Sequence, residues 1–244
     1  MKIIEKKSGI ITKGAKFKTG GRPPNLSKFL NWVNMTAIVG LPNSGKSSLI
    51  KTLLNGTKAD NLYNKVFNSV YYISASDTMD LQIPEEKYIK LDKEPLYMII
   101  ESIIDAESDE GEEDDPHRVL IILDDAINFL TTDRRSMTAF RKASMNGRHI
   151  LGKHSSLALW LVSQKVKSIP LTLRAMSNQV FFFDSTKSEK EVIRDEYLPL
   201  DKVEADLLYD YVFDEPHNFL FVNLQYPKYS RMFKNFNQLQ LKNV

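Results

Sequence analysis

Apolar residues fall along this chain in short continuous runs, and amphipathic stretches lie between the runs. Strand candidates occur at 34–39, 68–74 (Asn-Ser-Val-Tyr-Tyr-Ile-Ser), 119–123, 157–163 and 178–183 (Asn-Gln-Val-Phe-Phe-Phe), with a late pair at 218–224 and about 230–236. Runs that are apolar throughout, such as Val119–Leu123, suit strands buried on both faces of a parallel sheet. Helix patterns separate them. One starts near Lys46, carries Leu49, Ile50, Leu53 and Leu54, and stops at Asn55-Gly56. Glu94-Pro95 opens another with Leu96, Ile99, Ile100, Ile103 and Ile104 on its apolar side. Ser188-x-x-Glu191 and Asp201-x-x-Glu204 have the form of capping boxes, and Asp133 is placed to cap an amphipathic helix over 133–147. This alternation predicts an α/β domain with a mostly parallel central sheet flanked by helices. No internal repeat is present.

Composition divides the chain further. Residues 1–33 are rich in lysine, glycine and proline and read as a basic N-terminal arm or short hairpin, with the α/β domain at 34–244. Residues 1–58 hold eleven Lys/Arg against one acid, although the whole chain is only +2. The arm is either an electrostatic contact for nucleic acid or another anionic partner, or a solvated tail. Residues 105–115 hold eight acids and no base, so 105–117 is expected to be a solvated acidic loop. A C-terminal helix and strand pair at 201–236 completes the domain. No apolar stretch approaches the length needed to span a membrane, and the first residues carry no signal-like segment. The absence of cysteine fits a reducing, intracellular setting, and the four histidines lack zinc-ligand spacing.

The chemistry begins at Gly40-Leu41-Pro42-Asn43-Ser44-Gly45-Lys46-Ser47-Ser48, which follows a strand and opens a helix. This is the complete phosphate-loop pattern G-x-x-x-x-G-K-[ST] in its proper setting. Gly40 and Gly45 let successive N–H groups turn toward phosphate oxygens, Lys46 brings a positive charge to the β and γ phosphates, and the Ser47 hydroxyl suits Mg²⁺. The helix N-terminus adds its own positive end. The expected ligands are ATP and Mg²⁺.

A second element follows Val119–Leu123: Asp124-Asp125. Asp124 is placed to position the metal and Asp125 to orient or deprotonate the attacking water. The guanine-reading Asn-Lys-x-Asp is lacking, since Asn64-Lys65 comes early and is followed by Val66-Phe67. A strand candidate at 68–74 falls between the phosphate-loop and Asp124 strands in sequence, and the two carboxylates are adjacent. The order resembles the additional-strand P-loop ATPases, the group that includes RecA-like motors, more than GTPases or nucleotide kinases.

Taken in order, Gly40–Ser48, Leu120–Asp125, Gly147-Arg148-His149, Ser163-Gln164, Pro170…Arg174…Asn178 and Phe181–Phe183 resemble the genome-packaging ATPases of large DNA viruses. These are the poxvirus-type motors of the FtsK–HerA superfamily, and in size the chain is similar to those of virophages and polinton-like elements. The resemblance covers roughly residues 34–236. It implies a RecA-like core, a homo-oligomeric ring, and ATP-driven movement of double-stranded DNA into a preformed capsid at its vertex. It also implies a cytoplasmic or viral-factory location, with transient attachment to the assembling virion. Gln164 is implied as γ-phosphate sensor, and Arg148 or Arg174 as a finger reaching a neighbour's nucleotide. Gly147-Arg148-His149 lies farther from Gln164 than such an element does in these motors, and Gly152-Lys153-His154 sits closer but has lysine in place of arginine. Arg134, Arg135, Arg141 and Lys142 share one side of the 133–147 helix, either as a solvated face or as a pore lining that touches DNA phosphates. Two rival functions are another FtsK–HerA-like motor of a mobile element and a nucleotide-gated assembly protein with little turnover.

Overall fold

The computed structural model describes residues 2–6, 23, 26–33, 35–56, 62–76, 81, 83–92, 94–112 and 114–242. Their strands are β1 (Lys2–Lys6), β2 (Met35–Val39), β3 (Ser69–Ser74), β4 (Tyr88–Lys90), β5 (His117–Asp124), β6 (Ser155–Ser163), β7 (Gln179–Phe183), β8 (Phe219–Asn223), β9 (Met232–Lys234) and β10 (Asn237–Lys242). The α-helices are α1 (Lys46–Asn55), α2 (Leu96–Ala106), α3 (Ile127–Thr132), α4 (Arg134–Asn146), α5 (Leu171–Met176), α6 (Lys187–Tyr197) and α7 (Lys202–Val212). Every strand candidate forms, with ends moved by at most two residues. The chain divides into two compact units: Met1–Gly14, Thr36–Lys46 and Gln164–Val244 in one, Ala15–Met35 and Ser47–Ser163 in the other.

In the second unit the strand order is β6-β5-β3-β4, parallel throughout. Val119–Leu123 of β5 are completely buried, and all of β6 is buried. That explains why both runs lack polar alternation. Trp160 of β6 meets Tyr63 edge-on at 5.2 Å, and Tyr63 stacks on Phe67 at 5.4 Å. α2 and α4 are joined where the Tyr97 N–H donates to Ser136 Oγ at 3.0 Å. Asp133 caps α4 as expected, accepting from the N–H groups of Arg135 and Ser136.

In the first unit the order is β1-β10-β9-β8-β7-β2. β2 and β7 are parallel, and the remaining pairings are antiparallel. Lys2–Lys6 of the basic arm therefore serves as a sheet edge, while 7–22 lies outside the described residues. The Phe181–Phe183 run is core: Phe181 stacks on Phe221 at 4.4 Å, and Phe221 meets Phe233 at 5.1 Å. A buried polar pair, Gln179 Nε2 donating to Thr36 Oγ1 at 3.1 Å, joins residues directly opposite in the β2–β7 register. A slip would break this bond between two buried side chains.

Two local expectations are corrected. α6 starts at Lys187 after Thr186, so the Ser188/Glu191 capping box does not form; Thr186 Oγ1 lies 3.3 Å from Ser188 Oγ instead. Within the same first turn, the buried Glu189 carboxylate accepts from the N–H groups of Val166 and Lys167. The Asp201/Glu204 box of α7 is present in full.

The acidic segment is also not wholly solvated. It begins inside α2, and Glu107 is only 7% exposed. Its carboxylate accepts from Tyr71 Oη at 2.6 Å and lies 2.5 Å from His117 Nε2 and 3.4 Å from Lys87 Nζ. Burial pushes the Glu107 carboxyl upward, but the bonds from Tyr71, His117 and Ser69 and the Lys87 charge outweigh it and hold the group at about 2. Composition could not show this, because Glu107 is buried while Asp105, Asp109, Glu110, Glu112, Asp114 and Asp115 are exposed.

A depressed carboxyl contributes stability above its unfolded value near 4.5 and loses it as pH falls toward about 2. Glu107→Gln is therefore expected to lower unfolding free energy by about 1–3 kcal/mol at neutral pH, the usual cost of removing charge-assisted bonds. The gap between wild type and variant should narrow between about pH 4.5 and 2. Urea unfolding at pH 7 and pH 3 measures both effects; a gap that widens on acidification would refute the assignment.

Candidate functional site

β2 is buried along its whole length and ends at Val39, where the phosphate loop turns off it. Gly40 has no room for a side chain: a Cβ there would lie 2.5 Å from Ser44 Oγ and 2.7 Å from Phe183 Cβ. Asn43 (φ 61°) and Gly45 (φ 109°) take left-handed backbone, which folds the loop tightly. The Ser44 N–H donates to Leu41 O at 3.2 Å. Lys46 Nζ donates to Gly40 O at 2.7 Å and Leu41 O at 2.9 Å, so the ammonium lies over the loop. α1 starts at Lys46 with no acid in its first turn, which leaves the positive end of the helix unneutralised by its own sequence. Leu49, Ile50, Leu53 and Leu54 bury its apolar face, and Ser47 and Ser48 are exposed. Leu41, Pro42 and Asn43 are exposed as well.

Beside the loop stands a residue with no sequence signal, His217. Its Nδ1 is 3.1 Å from Ser44 O, and a Cβ on Gly45 would come within 3.5 Å of that nitrogen. His217 itself has φ 67° in the turn before β8.

In the second unit, Asp124 is the last residue of β5 and is half-buried. Tyr72 Oη donates to Asp124 Oδ2. Burial, and then the Asp124 charge and bond, push the Tyr72 phenol far up, so it remains a donor. Asp125 is exposed at φ 48°, and its N–H donates to Val162 O of β6 at 3.2 Å. That left-handed turn takes the chain out of the strand while the peptide stays anchored to β6. Ser163 closes β6 and is buried, whereas the next residue, Gln164, is exposed.

Among the described residues no cluster of three or more His, Asp or Glu could cage a metal. The available donors are the Ser47 hydroxyl and the Asp124 carboxylate. Such hard oxygens fit Mg²⁺, which is commonly held by one or two protein groups and substrate phosphates rather than by a protein cage.

The arginine candidates differ in their surroundings. Arg148 is exposed in the turn after α4. The Arg174 side chain is only 13% exposed and pairs with Glu196 Oε1 at 3.2 Å, so it is committed within its own unit. On α4, Arg134, Arg135, Arg141 and Lys142 are all exposed, with Phe140 and Ala143 on the buried face. Arg135 leans on Tyr97, its guanidinium 5.5 Å from the ring centroid.

These features belong to a fold already seen elsewhere. The genome packaging NTPase B204 of Sulfolobus turreted icosahedral virus 2, in complex with ATP-gammaS, superposes with a TM-score of 0.54 at 17% identity, over 88% of this chain and 100% of B204. EssC (ATPases 2 and 3) of Geobacillus thermodenitrificans gives 0.51 at 15% identity, over 85% of this chain and 38% of EssC. The conjugation coupling protein TcpA of pCW3, in a form with ATPgS, gives 0.50 at 13%, over 84% of this chain and 61% of TcpA. The family model of the 50S ribosome-binding GTPases matches residues 35–74, which hold β2, the phosphate loop, α1 and β3. No curated protein matches the sequence. The chain therefore has the P-loop NTPase fold, with a mostly parallel central sheet flanked by helices. The fold is also that of B204, in keeping with the P-loop architecture that the sequence resemblance implies.

Gly45→Ala is expected to weaken nucleotide binding at least tenfold, since it forces a side chain into left-handed backbone and places its Cβ 3.3 Å from Phe183 Cε1. Calorimetric titration with ATP checks it. Wild-type affinity in the alanine variant would show that the loop does not bind in this conformation.

Proposed function

We propose that this protein is an ATP-driven translocase that moves double-stranded DNA, packaging a viral or virus-like genome into a preformed capsid. The observation that carries the reading is a complete phosphate loop set in a fold that matches a genome-packaging NTPase over 88% of this chain and that protein's whole length. In this reading the loop N–H groups, the α1 N-terminus and Lys46 cradle the β and γ phosphates of ATP. Ser47 and Asp124 hold Mg²⁺, which when bound neutralises charge developing on the phosphates. Asp125 takes the proton of the attacking water, and Gln164 senses the γ-phosphate. Phosphoryl transfer demands mainly positioning and charge stabilisation, so an arginine supplied by a neighbour in a homo-oligomeric ring completes the chemistry. Exposed Arg148 is the candidate for that role, and Arg174 is disfavoured by its pairing with Glu196. The basic face of α4 contacts DNA phosphates without reading sequence. Among the described residues no helix is long and apolar enough to cross a membrane.

A second reading, another FtsK–HerA-like motor of a mobile element, is supported by the matches to EssC and TcpA, although this chain spans 38% and 61% of them. ATP turnover with and without duplex DNA tests the shared core of both readings. Turnover is expected to rise with DNA; Lys46→Ala should lose nucleotide binding, and Asp125→Asn should keep binding but lose turnover by about 10²–10⁴-fold. Mixing Arg148→Ala with Lys46→Ala should restore activity at interfaces that combine an intact loop with an intact arginine. Little turnover, with or without DNA, would reject the proposal in favour of a nucleotide-gated assembly protein, and full turnover in Asp125→Asn would remove Asp125 from the catalytic set.

Replacing Arg134, Arg135, Arg141 and Lys142 with serine is expected to weaken DNA binding about equally for unrelated duplexes. It should also flatten the dependence of log K on log salt by up to about 0.9 for each phosphate that is no longer neutralised. Fluorescence anisotropy between 50 and 200 mM salt, roughly the range over which such slopes are large, reads this directly. An unchanged slope removes α4 from the DNA path.

A further inference from the structure

We infer that Tyr72 is a positioning residue for metal capture, its buried phenol holding the Asp124 carboxylate in the orientation from which it receives the Mg²⁺ of a bound nucleotide. The inference rests on the ATPase reading above and extends it to a side chain outside the phosphate loop and the double aspartate.

The geometry follows from sheet register. β3 runs parallel to β5 with Tyr72 opposite Ile122 and Ser74 opposite Asp124, so Tyr72 and Asp124 are diagonal neighbours on the same face. A tyrosine spans that diagonal and delivers its hydroxyl to Asp124 Oδ2. The ring is fixed from the other side, being 2% exposed and edge-on to Tyr88 of the adjacent strand at 5.9 Å. Ser74, directly opposite Asp124 in register, hydrogen-bonds the Tyr72 hydroxyl, and its Oγ takes the Ser76 N–H at 3.1 Å. Tyr88 is secured in turn, its hydroxyl accepting the Leu81 N–H at 2.7 Å. A short, half-buried aspartate at a strand end is thus tied to a donor that cannot move without disturbing β3 and β4.

Such an arrangement has a specific consequence. A carboxylate free to rotate must be ordered when the cation arrives, and that ordering subtracts from affinity. One already oriented by a rigid donor binds without it, as outer-shell partners do in metal sites generally. The neighbouring Tyr71 provides the contrast. It points to the opposite face of β3 and donates to Glu107 at the end of α2, beside His117 at the other end of β5 from Asp124.

Tyr72→Phe removes the hydroxyl and keeps the ring. The experiment titrates Mg²⁺ into protein with ATPγS and follows nucleotide binding, with a parallel titration in EDTA and urea unfolding of each variant. The Mg²⁺ midpoint is expected to rise about 10-fold or more in Tyr72→Phe, with nucleotide affinity in EDTA unchanged. In an Asp124→Asn background the same change should add little further shift. Tyr72→Met, which also lacks the hydroxyl, is read in the same way if the phenylalanine variant does not fold. A wild-type Mg²⁺ midpoint in the variant overturns the inference, whatever its stability. So does equal weakening in EDTA, or a full additional shift on top of Asp124→Asn. If wild-type protein shows no Mg²⁺-dependent nucleotide binding, the ATPase reading falls and takes this inference with it; if it does and Tyr72→Phe matches it, only the role of Tyr72 is lost.

Discussion

Phe183 presses on the backbone of the phosphate loop, and much of the site's construction depends on that packing. A Cβ on Gly40 would meet Phe183 Cβ at 2.7 Å, and one on Gly45 would meet its ring at 3.3 Å. Two glycines that the motif requires for phosphate binding are thus also required by the sheet beneath them. The packing exists because β7 runs parallel to β2, in a register held by the buried Thr36–Gln179 bond. The floor does not yield: Phe183 meets Phe219 at 5.5 Å, and Phe219 meets Phe181 at 5.7 Å. Close packing of this kind transmits position, so the loop is shaped before any anion arrives. His217 adds to the same packing, with its Nδ1 3.1 Å from Ser44 O and within 3.5 Å of a Cβ on Gly45.

β3 carries out a parallel task with hydrogen bonds. Its successive tyrosines point to opposite faces, and each donates to an acid: Tyr71 to Glu107, Tyr72 to Asp124. A buried phenol costs free energy unless its hydroxyl is bonded, and a buried carboxylate costs more. Tyr72 is the buried member of one pair and Glu107 of the other, and each is bonded. Glu107 sits at the end of α2, beside His117 where β5 begins, and Asp124 lies where β5 ends, so the β3–β5 pair carries one tyrosine–carboxylate bond near each end.

What could be read from the chain, and what could not, divides by range along the sequence. The phosphate loop, the strands around it, the Asp133 cap and the Asp201/Glu204 box are specified by residues a few positions apart, and all appear as expected. The Ser188/Glu191 pair has the same spacing but yields to a competing local bond, and the helix begins elsewhere. The missed elements depend on distant partners. β10 is legible only once β1 and β9 lie on either side of it. Glu107 is indistinguishable from its exposed neighbours until Tyr71, thirty-six residues away, reaches it. Tyr72 and His217 carry no motif, since their roles come from register and from a turn 173 residues beyond Ser44. Arg174 resembled a free cation in sequence, and only the fold supplied Glu196.

Nucleotide class, too, is decided beyond the phosphate loop. The match to ribosome-binding GTPases spans 35–74 and ends with β3, so it covers elements common to P-loop proteins of many kinds. The distinguishing parts follow. β6 lies parallel beside β5, with Val162 opposite Asp124, and the second carboxylate, Asp125, is exposed directly after the strand while its peptide stays bonded to Val162. The Asp125 carboxylate is thus held by backbone yet open to solvent. The one Asn-Lys pair is spent elsewhere: the Asn64 amide donates to Gly56 O just past the end of α1, where it satisfies a carbonyl rather than reading a base. After a phosphate loop common to P-loop proteins of many kinds, β5 is thus followed in sequence by a second carboxylate and β6 by a glutamine, and the chain carries no Asn-Lys-x-Asp.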